Sequence, residues 1–202
     1  MTNRLTATLL TLGLLGCNAM TMASPAPGAP APGFSGVDSQ GNTIDLSDFA
    51  GKRVILEWTN HDCPYVKKHY ETDTMQQLQR DMTSDDVVWV TVISSAPGKQ
   101  GYVSASRANE LTDTRDAAPT HVILDPEGTI GRSYDARTTP HMFLIDEEQT
   151  LQYMGAIDDK PSARHSTVNG AKAYVRLAYA EVESGAEVSE PSTRPYGCSV
   201  KY

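Results

Sequence analysis

RVILEWTNHDCPYV, residues 53–66, combines a strand, a loop and the start of a helix in one short stretch. Residues 53–58 are an almost continuous apolar run, which is typical of a strand buried on both faces. A polar loop follows, and then Cys63 and Pro64 begin a predicted helix. Proline is favoured at the first helical position because its missing N–H would have no partner there. The stretch therefore predicts a cysteine at the N-terminus of a helix that follows a buried strand.

Cys63 has the chemistry of a reactive thiol at this position. A thiolate at a helix start faces free backbone N–H groups and the positive end of the helix dipole. Both interactions stabilise the anion, so the pKa of the thiol is expected to fall. Lys67 adds positive potential about one turn further on, and His61 and Asp62 either tune the thiolate or are solvated loop residues. The other interpretation of Cys63, a structural cysteine in the core, is common in proteins but does not suit these polar neighbours.

Outward from this stretch, strands and helices alternate along the chain. Apolar runs predict further strands at 86–93, 121–124, 142–146 and 150–154. Helices are predicted after Cys63, with a kink around 72–74, then through about residue 111, and at 169–185. Alternating elements followed by a hairpin and a helix predict an α/β sandwich around one sheet.

The second motif is ARTTPHM, residues 136–142, just before a predicted buried strand. Only about 5–6% of X–Pro bonds in folded proteins are cis, so Pro140 alone would favour a trans peptide. Here, however, the Thr-Pro pair precedes a predicted buried strand, and far from it in the chain Cys63 begins a helix. This combination favours a cis peptide. We predict that the Thr139–Pro140 peptide is cis.

Several motifs together resemble the redoxin group, which includes thioredoxins, peroxiredoxins and the alkyl-hydroperoxide-reductase/thiol-specific-antioxidant family. The resemblance spans about residues 30–159. It is carried by APGFSGVDSQGNTIDLSDFAGKRVILEWTN (31–60), CPYV (63–66) and TTPHMFLID (138–146). A peroxiredoxin-like subgroup with a single active-site cysteine is most similar, through NHDCPYVKKHY (60–70), SSAPGKQGY (94–102) and YGCSVKY (196–202).

The resemblance implies a thioredoxin-like three-layer sandwich, with a central mixed β-sheet flanked by helices. It also implies that Pro140 faces the sulfur of Cys63 and that Thr139 presents its backbone to an extended substrate. Glu57 lies six residues before Cys63, where thioredoxin has a buried acid. If Glu57 lies beneath the sulfur, burial should raise its pKa and let it transfer protons. The alternative is an exposed glutamate at a strand end.

The peroxide site of peroxiredoxins is not reproduced. Cys63 matches the first cysteine of the thioredoxin motif, whereas the peroxidatic cysteine matches the second, which here is Val66. Peroxiredoxins also have a proline and a threonine or serine seven and three residues before that cysteine. Counting back from Cys63 gives Leu56 and Asn60 instead. The sequence therefore predicts an oxidoreductase for thiol–disulfide exchange, with a thiol peroxidase of antioxidant function as the alternative.

Cys198 is the candidate resolving thiol, because a mixed disulfide needs a second thiol to release its product. It lies in the predicted C-terminal tail, residues 186–202, which would have to fold back over Cys63. A static disulfide and a free thiol are the other two possibilities for Cys198.

The first 23 residues have the layout of a secretory signal peptide. An apolar run from 5 to 16 follows one positive charge, and it is too short to span a bilayer. Cleavage after Ala23 and lipidation of Cys17 after a lipobox-like sequence both remain open. We therefore expect export to a bacterial periplasm, a Pro/Ala-rich linker at 24–33 and a redoxin domain at 34–185.

Composition limits the partners. With 17 basic and 25 acidic residues, the net charge of −8 argues against nucleic acid and anionic membranes. The expected partners are protein or small-molecule disulfides and thiols, or peroxide, and membrane contact only through a lipid on Cys17. No cofactor and no metal are predicted. A third functional class, a copper- or zinc-binding module, would require His61, Asp62, Cys63 and His141 to converge.

Overall fold

The computed structural model describes residues 24–202. The predicted signal peptide and Cys17 lie outside the described residues. Within residues 24–202, no helix combines the length and the apolar character that a membrane crossing requires.

The described part of the chain alternates strands and helices in the predicted order. The strands are β1 (Ser35–Asp38), β2 (Thr43–Asp45), β3 (Val54–Trp58), β4 (Val88–Ile93), β5 (His121–Leu124), β6 (Thr138–Thr139), β7 (His141–Ile145), β8 (Leu151–Gly155) and β9 (Cys198–Ser199). The helices are α1 (Pro64–Glu71), α2 (Thr74–Ser84), α3 (Ala105–Thr114), α4 (Thr129–Ser133) and α5 (Tyr174–Glu183). Short 3-10 turns cover Leu46–Phe49 and His165–Val168.

One sheet organises the molecule, with the strand order β2-β1-β5-β4-β3-β7-β8. β3 pairs parallel with β4, and β4 pairs parallel with β5, whereas the other pairs are antiparallel. All residues of β3 and β4 are buried, which explains their nearly uninterrupted apolar sequences. The predicted mixed central sheet flanked by helices is therefore confirmed.

Successive side chains of β3 supply both faces of this sheet. Leu56 and Trp58 belong to an apolar cluster on one face, and Ile55 belongs to a second cluster on the other. The second cluster includes residues of α1, α2 and α5 together with Cys63, and the first includes residues of α4. Packing on both faces produces three layers and leaves Cys63 at the boundary between the sheet and α1.

Two local predictions need correction. The kink expected around 72–74 is a complete break, because Asp73 adopts a left-handed conformation with φ 58° between α1 and α2. The last helix begins at Tyr174 rather than at 169, since Gly170 has φ +69° and cannot continue a right-handed helix. Gly185, with φ +74°, follows its end as expected.

Residues 24–33 do not behave throughout as a free linker. The amide of Gly28 donates to Leu151 O at 2.7 Å, and the amide of Leu151 donates to Ala29 O at 2.9 Å. Ala31 N donates to Gln149 O at 2.9 Å. β8 is an edge strand of the sheet, and residues 28 and 29 bond the outward backbone groups of its first residue, Leu151. The boundaries at 34, 185 and 186 stay predictions.

Candidate active site

The loop before α1 positions Cys63. The amide of Cys63 donates to Asn60 O at 3.0 Å, and the amide of Asp62 donates to Asn60 Oδ1 at 2.9 Å. Cys63 itself keeps an extended backbone, with φ −69° and ψ 123°, and Pro64 is the first helical residue. The Asn60 side chain packs against Gly101, where any Cβ would lie within 2.6 Å of it. The loop is thus fixed by its own hydrogen bonds and by a close approach to residues 94–102.

The sulfur of Cys63 faces the second motif. Cys63 is fully buried, and its S–H donates to Thr139 O at 3.1 Å. The Thr139–Pro140 peptide is cis, as predicted. Cys63 and Thr139 of the proline segment, 76 positions apart in the chain, are therefore in direct contact.

The C-terminal tail completes the site. β9 pairs antiparallel with β6, so that Cys198 lies opposite Thr139 and Ser199 opposite Thr138. The amide of Val200 extends this pairing by donating to Arg137 O at 3.0 Å. Cys63 and Cys198 are both free thiols, and each lies beside Thr139: Cys63 Sγ is 3.1 Å from Thr139 O, and Cys198 is the pairing partner of Thr139 in β6.

The last residues of the tail are also docked. The Tyr202 hydroxyl donates to Ala136 O at 2.8 Å, and its ring packs over Gly128 and Gly131, where a Cβ would collide with it. The Arg132 guanidinium lies 4.6 Å from the centre of this ring. Sequence reasoning missed this anchor, although an aromatic residue in a short polar C-terminal segment is a signal for docking.

The two thiols have opposite pKa shifts. Burial raises the pKa of the Cys63 thiol, but hydrogen bonds from the Cys198 thiol, the Val66 amide and the Thr139 side chain outweigh burial, and the pKa is lowered from its ordinary value. Burial and the interaction with Cys63 raise the pKa of Cys198 to about 11. A thiolate on Cys63 next to a protonated thiol on Cys198 is an arrangement suited to nucleophilic thiol exchange.

The residues predicted to tune the thiolate are not the ones that contact it. His61 forms an ion-pair contact with Asp62 at 3.5 Å, and burial lowers the pKa of His61. Lys67 is exposed, because it lies on the outer side of α1. Within residues 24–202, none of the three side chains hydrogen-bonds to the sulfur. The tail and the helix start provide those hydrogen bonds instead.

Glu57 is buried rather than exposed at a strand end. Its carboxylate accepts four hydrogen bonds, whose donors are the Tyr70 hydroxyl at 2.9 Å, Gln79 Nε2 and Trp89 Nε1 at 3.1 Å, and the Thr91 hydroxyl at 3.3 Å. Burial raises the pKa of Glu57 despite these hydrogen bonds. No hydrogen bond joins Glu57 to Cys63 in the described part of the chain. Glu57 instead accepts from Tyr70, which lies on the helix α1 that Cys63 precedes.

The four residues that a copper or zinc module would require do not form a ligand group in the described part of the chain. His141 is buried, and its Nδ1 accepts a hydrogen bond from the Arg137 amide. Its ring centre lies 4.4 Å from that of Phe143, with the two rings tilted by 47°. His61 instead pairs with Asp62. Across residues 24–202, no three His, Cys, Asp or Glu side chains form a group that could hold a metal ion. The residues present therefore do not fit copper or zinc.

Comparisons with known proteins agree with this geometry. The family model described as Redoxin matches residues 26–174. Thiol-disulfide oxidoreductase ResA of Bacillus subtilis (strain 168) is 27% identical over 125 residues, which cover 62% of this chain and 64% of ResA. Sporulation thiol-disulfide oxidoreductase A of the same organism is 28% identical over 152 residues, covering 73% of this chain and 86% of the relative. The match thus spans just under two thirds of ResA.

Solved structures show the same fold. An uncharacterized conserved protein from Geobacillus kaustophilus superposes with a TM-score of 0.75 at 23% identity, covering 88% of this chain and 92% of that one. A hypothetical protein from Sinorhizobium meliloti 1021 gives 0.76 at 23% identity, covering 89% and 96%. A thiol:disulfide interchange protein from Bacteroides sp. gives 0.53 at 22% identity, covering 74% and 95%. At these identities the likeness concerns the fold alone.

Cys198→Ala should raise the pKa of the Cys63 thiol, because it removes the hydrogen bond from the neighbouring S–H. Cys198→Ser keeps a donor at that position and is the matched control, so its effect should be smaller. Ultraviolet absorbance of the thiolate, followed against pH, measures the change. An unaltered pKa in the alanine variant would contradict the role given to Cys198.

Glu57→Gln should change how stability depends on pH. Because burial raises the pKa of Glu57 above its ordinary 4.5, the folded chain retains a proton that the unfolded chain releases. The wild type therefore loses stability as pH rises from about 4.5 through the raised pKa, by up to about 1.4 kcal/mol per pH unit. Denaturant titrations across this range should show that the free energy of unfolding of Glu57→Gln increases relative to that of wild type as pH rises.

The control for this substitution is Glu110→Gln, which changes a carboxylate on an exposed helix face. It should leave the pH dependence of the free energy of unfolding close to that of wild type. Parallel pH dependences for wild type and Glu57→Gln would show that Glu57 has no raised pKa.

Proposed function

This chain belongs to the redoxin family, and from that premise we propose that it is a thiol–disulfide oxidoreductase in which Cys63 and Cys198 form the redox pair. The observation that carries the proposal is the meeting of two free thiols beside a cis-proline segment, one with a lowered pKa and one with a raised pKa. Two relatives from Bacillus subtilis are named as thiol-disulfide oxidoreductases, and this supports the same reaction class.

The first step is attack by the Cys63 thiolate on a disulfide of the substrate. A bond forms between Cys63 Sγ and one substrate sulfur, the substrate S–S bond breaks, and the other sulfur leaves as a thiolate that takes up a proton. Cys63 has no exposed surface while the tail is docked, so the tail has to move for this step. The Thr139–Pro140 segment, released from β9, would then bind the substrate backbone.

The second step releases the substrate. Cys198 loses its proton and attacks Cys63 Sγ, forming the Cys63–Cys198 disulfide while the bound substrate sulfur leaves as a thiolate. Two electrons have then passed from the protein to the substrate, and an external dithiol restores the protein. Cys63 is uncharged in the mixed disulfide, so one cause of the raised pKa of Cys198 is absent when Cys198 has to ionise.

We assign Glu57 an indirect part. Its carboxylate is occupied by donors from α1, α2 and β4, which include the Tyr70 hydroxyl. Glu57 would therefore act on Cys63 by fixing α1 against the sheet, and proton exchange with the sulfur would need a bridging group. Peroxidase chemistry has less support, because Val66, at the position of a peroxidatic cysteine, is a fully buried apolar side chain.

Cys63→Ser should abolish the reduction of insulin disulfides by the protein and should trap no substrate. Cys198→Ser should keep the first step but lose the second, so a mixed disulfide on Cys63 should accumulate. Turbidity of insulin with a dithiol donor, together with mass spectrometry of trapped adducts, measures both effects. Activity in Cys63→Ser equal to wild type would contradict the mechanism, and rapid oxidation by hydrogen peroxide instead of disulfides would favour a peroxidase.

We also propose that the protein is exported, on the basis of the signal-like sequence at 1–23. Expression of the full chain in a bacterium should yield a shortened protein in the periplasm. The mass of its N-terminal peptide distinguishes a start at Ser24 from a lipidated start at Cys17. An intact Met1 in the cytoplasm would contradict the proposal.

A further inference from the structure

A buried polar cluster, formed by Lys68, His69, Asp158 and Tyr196, joins α1 to the tail; we refer to it as the Tyr196 latch. Lys68 Nζ lies 3.1 Å from the Tyr196 hydroxyl and 3.5 Å from Asp158 Oδ2, and it also donates to Lys160 O at 3.2 Å. The Tyr196 hydroxyl donates to Asp158 Oδ1. His69 Nε2 is 3.3 Å from the same hydroxyl.

Every side chain around this hydroxyl is strongly buried. Lys68 and His69 have no exposed surface and Asp158 is 5% exposed. A buried lysine and carboxylate are tolerated only where each has close partners, because both lose their hydration. Tyr196 therefore gives the cluster a partner that bonds the cation and the anion at once. The position of the Tyr196 hydroxyl is set by the charges of Lys68, on α1, and of Asp158, on the segment after β8.

The latch acts close to the redox pair. Tyr196 is two residues before Cys198, and only Gly197 separates them. Gly197 has φ +143° and packs so closely on the Thr139 carbonyl that a Cβ could not be accommodated. The position of Tyr196 therefore limits where Cys198 can lie, because the single residue between them has little room to move past Thr139. The anchor at Tyr202 lies four residues beyond Cys198 and holds the other end of the tail.

We propose that Tyr196 is a positioning residue for thiol exchange: through the latch it holds Cys198 against Cys63 and sets how readily their disulfide forms. This inference rests on the proposed function of the Cys63–Cys198 pair. The two cysteines are far apart in sequence, so without docking the tail would sample many positions. Fixing one thiol beside the other raises its effective concentration, and a substrate has to overcome the same docking.

The test uses Tyr196→Phe, which removes the hydroxyl and keeps the ring. The probe is a glutathione redox buffer, in which oxidised glutathione and the protein dithiol give the protein disulfide and two reduced glutathione molecules. Alkylation of free thiols followed by mass spectrometry gives the equilibrium constant. We expect the constant to fall about tenfold, equivalent to about 30 mV for this two-electron couple. Cys63 carrying glutathione should accumulate.

Tyr65→Phe is the matched control. The Tyr65 ring packs on the Tyr196 ring with their centres 5.8 Å apart, but its hydroxyl makes no hydrogen bond within residues 24–202. Its equilibrium constant should equal that of wild type. Lys68→Met is a second variant that removes the buried cation from the latch, and it should shift the constant in the same direction as Tyr196→Phe. Thermal melts establish that each variant is folded.

The results distinguish a failure of the positioning role of Tyr196 from a failure of the Cys63–Cys198 redox pair. If folded Tyr196→Phe and Lys68→Met both keep the wild-type constant, the latch has no positioning role and the inference is overturned while the redox pair stands. If wild type forms no Cys63–Cys198 disulfide in oxidised glutathione, the redox pair fails, and the role of Tyr196 fails with it.

Discussion

The pairing of Cys198–Ser199 with Thr138–Thr139 is the contact on which the site depends. It covers the cis-proline segment, buries Cys63 and brings the second thiol beside the first. A two-residue pairing offers few hydrogen bonds and would be marginal alone. Tyr196 on one side and Tyr202 on the other add side-chain anchors to this pairing, and the amide of Ala96 adds a backbone hydrogen bond to Lys201 O.

The docked tail also gives the two thiols different pKa values. In a Cys-x-x-Cys protein both thiols lie on one helical turn, whereas here Val66 fills the second position and packs into the core. Cys198 comes from the C-terminal tail. Its interaction with Cys63 helps to lower the pKa of Cys63, while burial and the same interaction raise the pKa of Cys198 to about 11. Residues 186–202 contain no helix, so a displacement of Cys198 would not require a helix to unfold.

Features that depend on short stretches were predictable from sequence. The buried strand β3 and the helix start at Cys63 follow from neighbouring residues. The cis peptide before Pro140 was predictable only from the combination of the Thr-Pro pair with the helix-opening cysteine. Predictions of which side chains surround the sulfur were less successful. Lys67 and Lys68 are adjacent and equally charged, yet Lys67 is exposed and Lys68 is buried, because only the packing of α1 against the tail distinguishes them.

The sequence alone determined the fold class and the helix start at Cys63, since strand burial and helix initiation depend on local residue patterns. The tertiary structure decided the partner of Cys63, the burial of Glu57 under four donors and the docking of residues 28–31 on β8. Those outcomes depend on which distant backbone and side-chain groups satisfy one another in space. Hydrogen-bond satisfaction between distant segments has no signature in the spacing of residues along the chain.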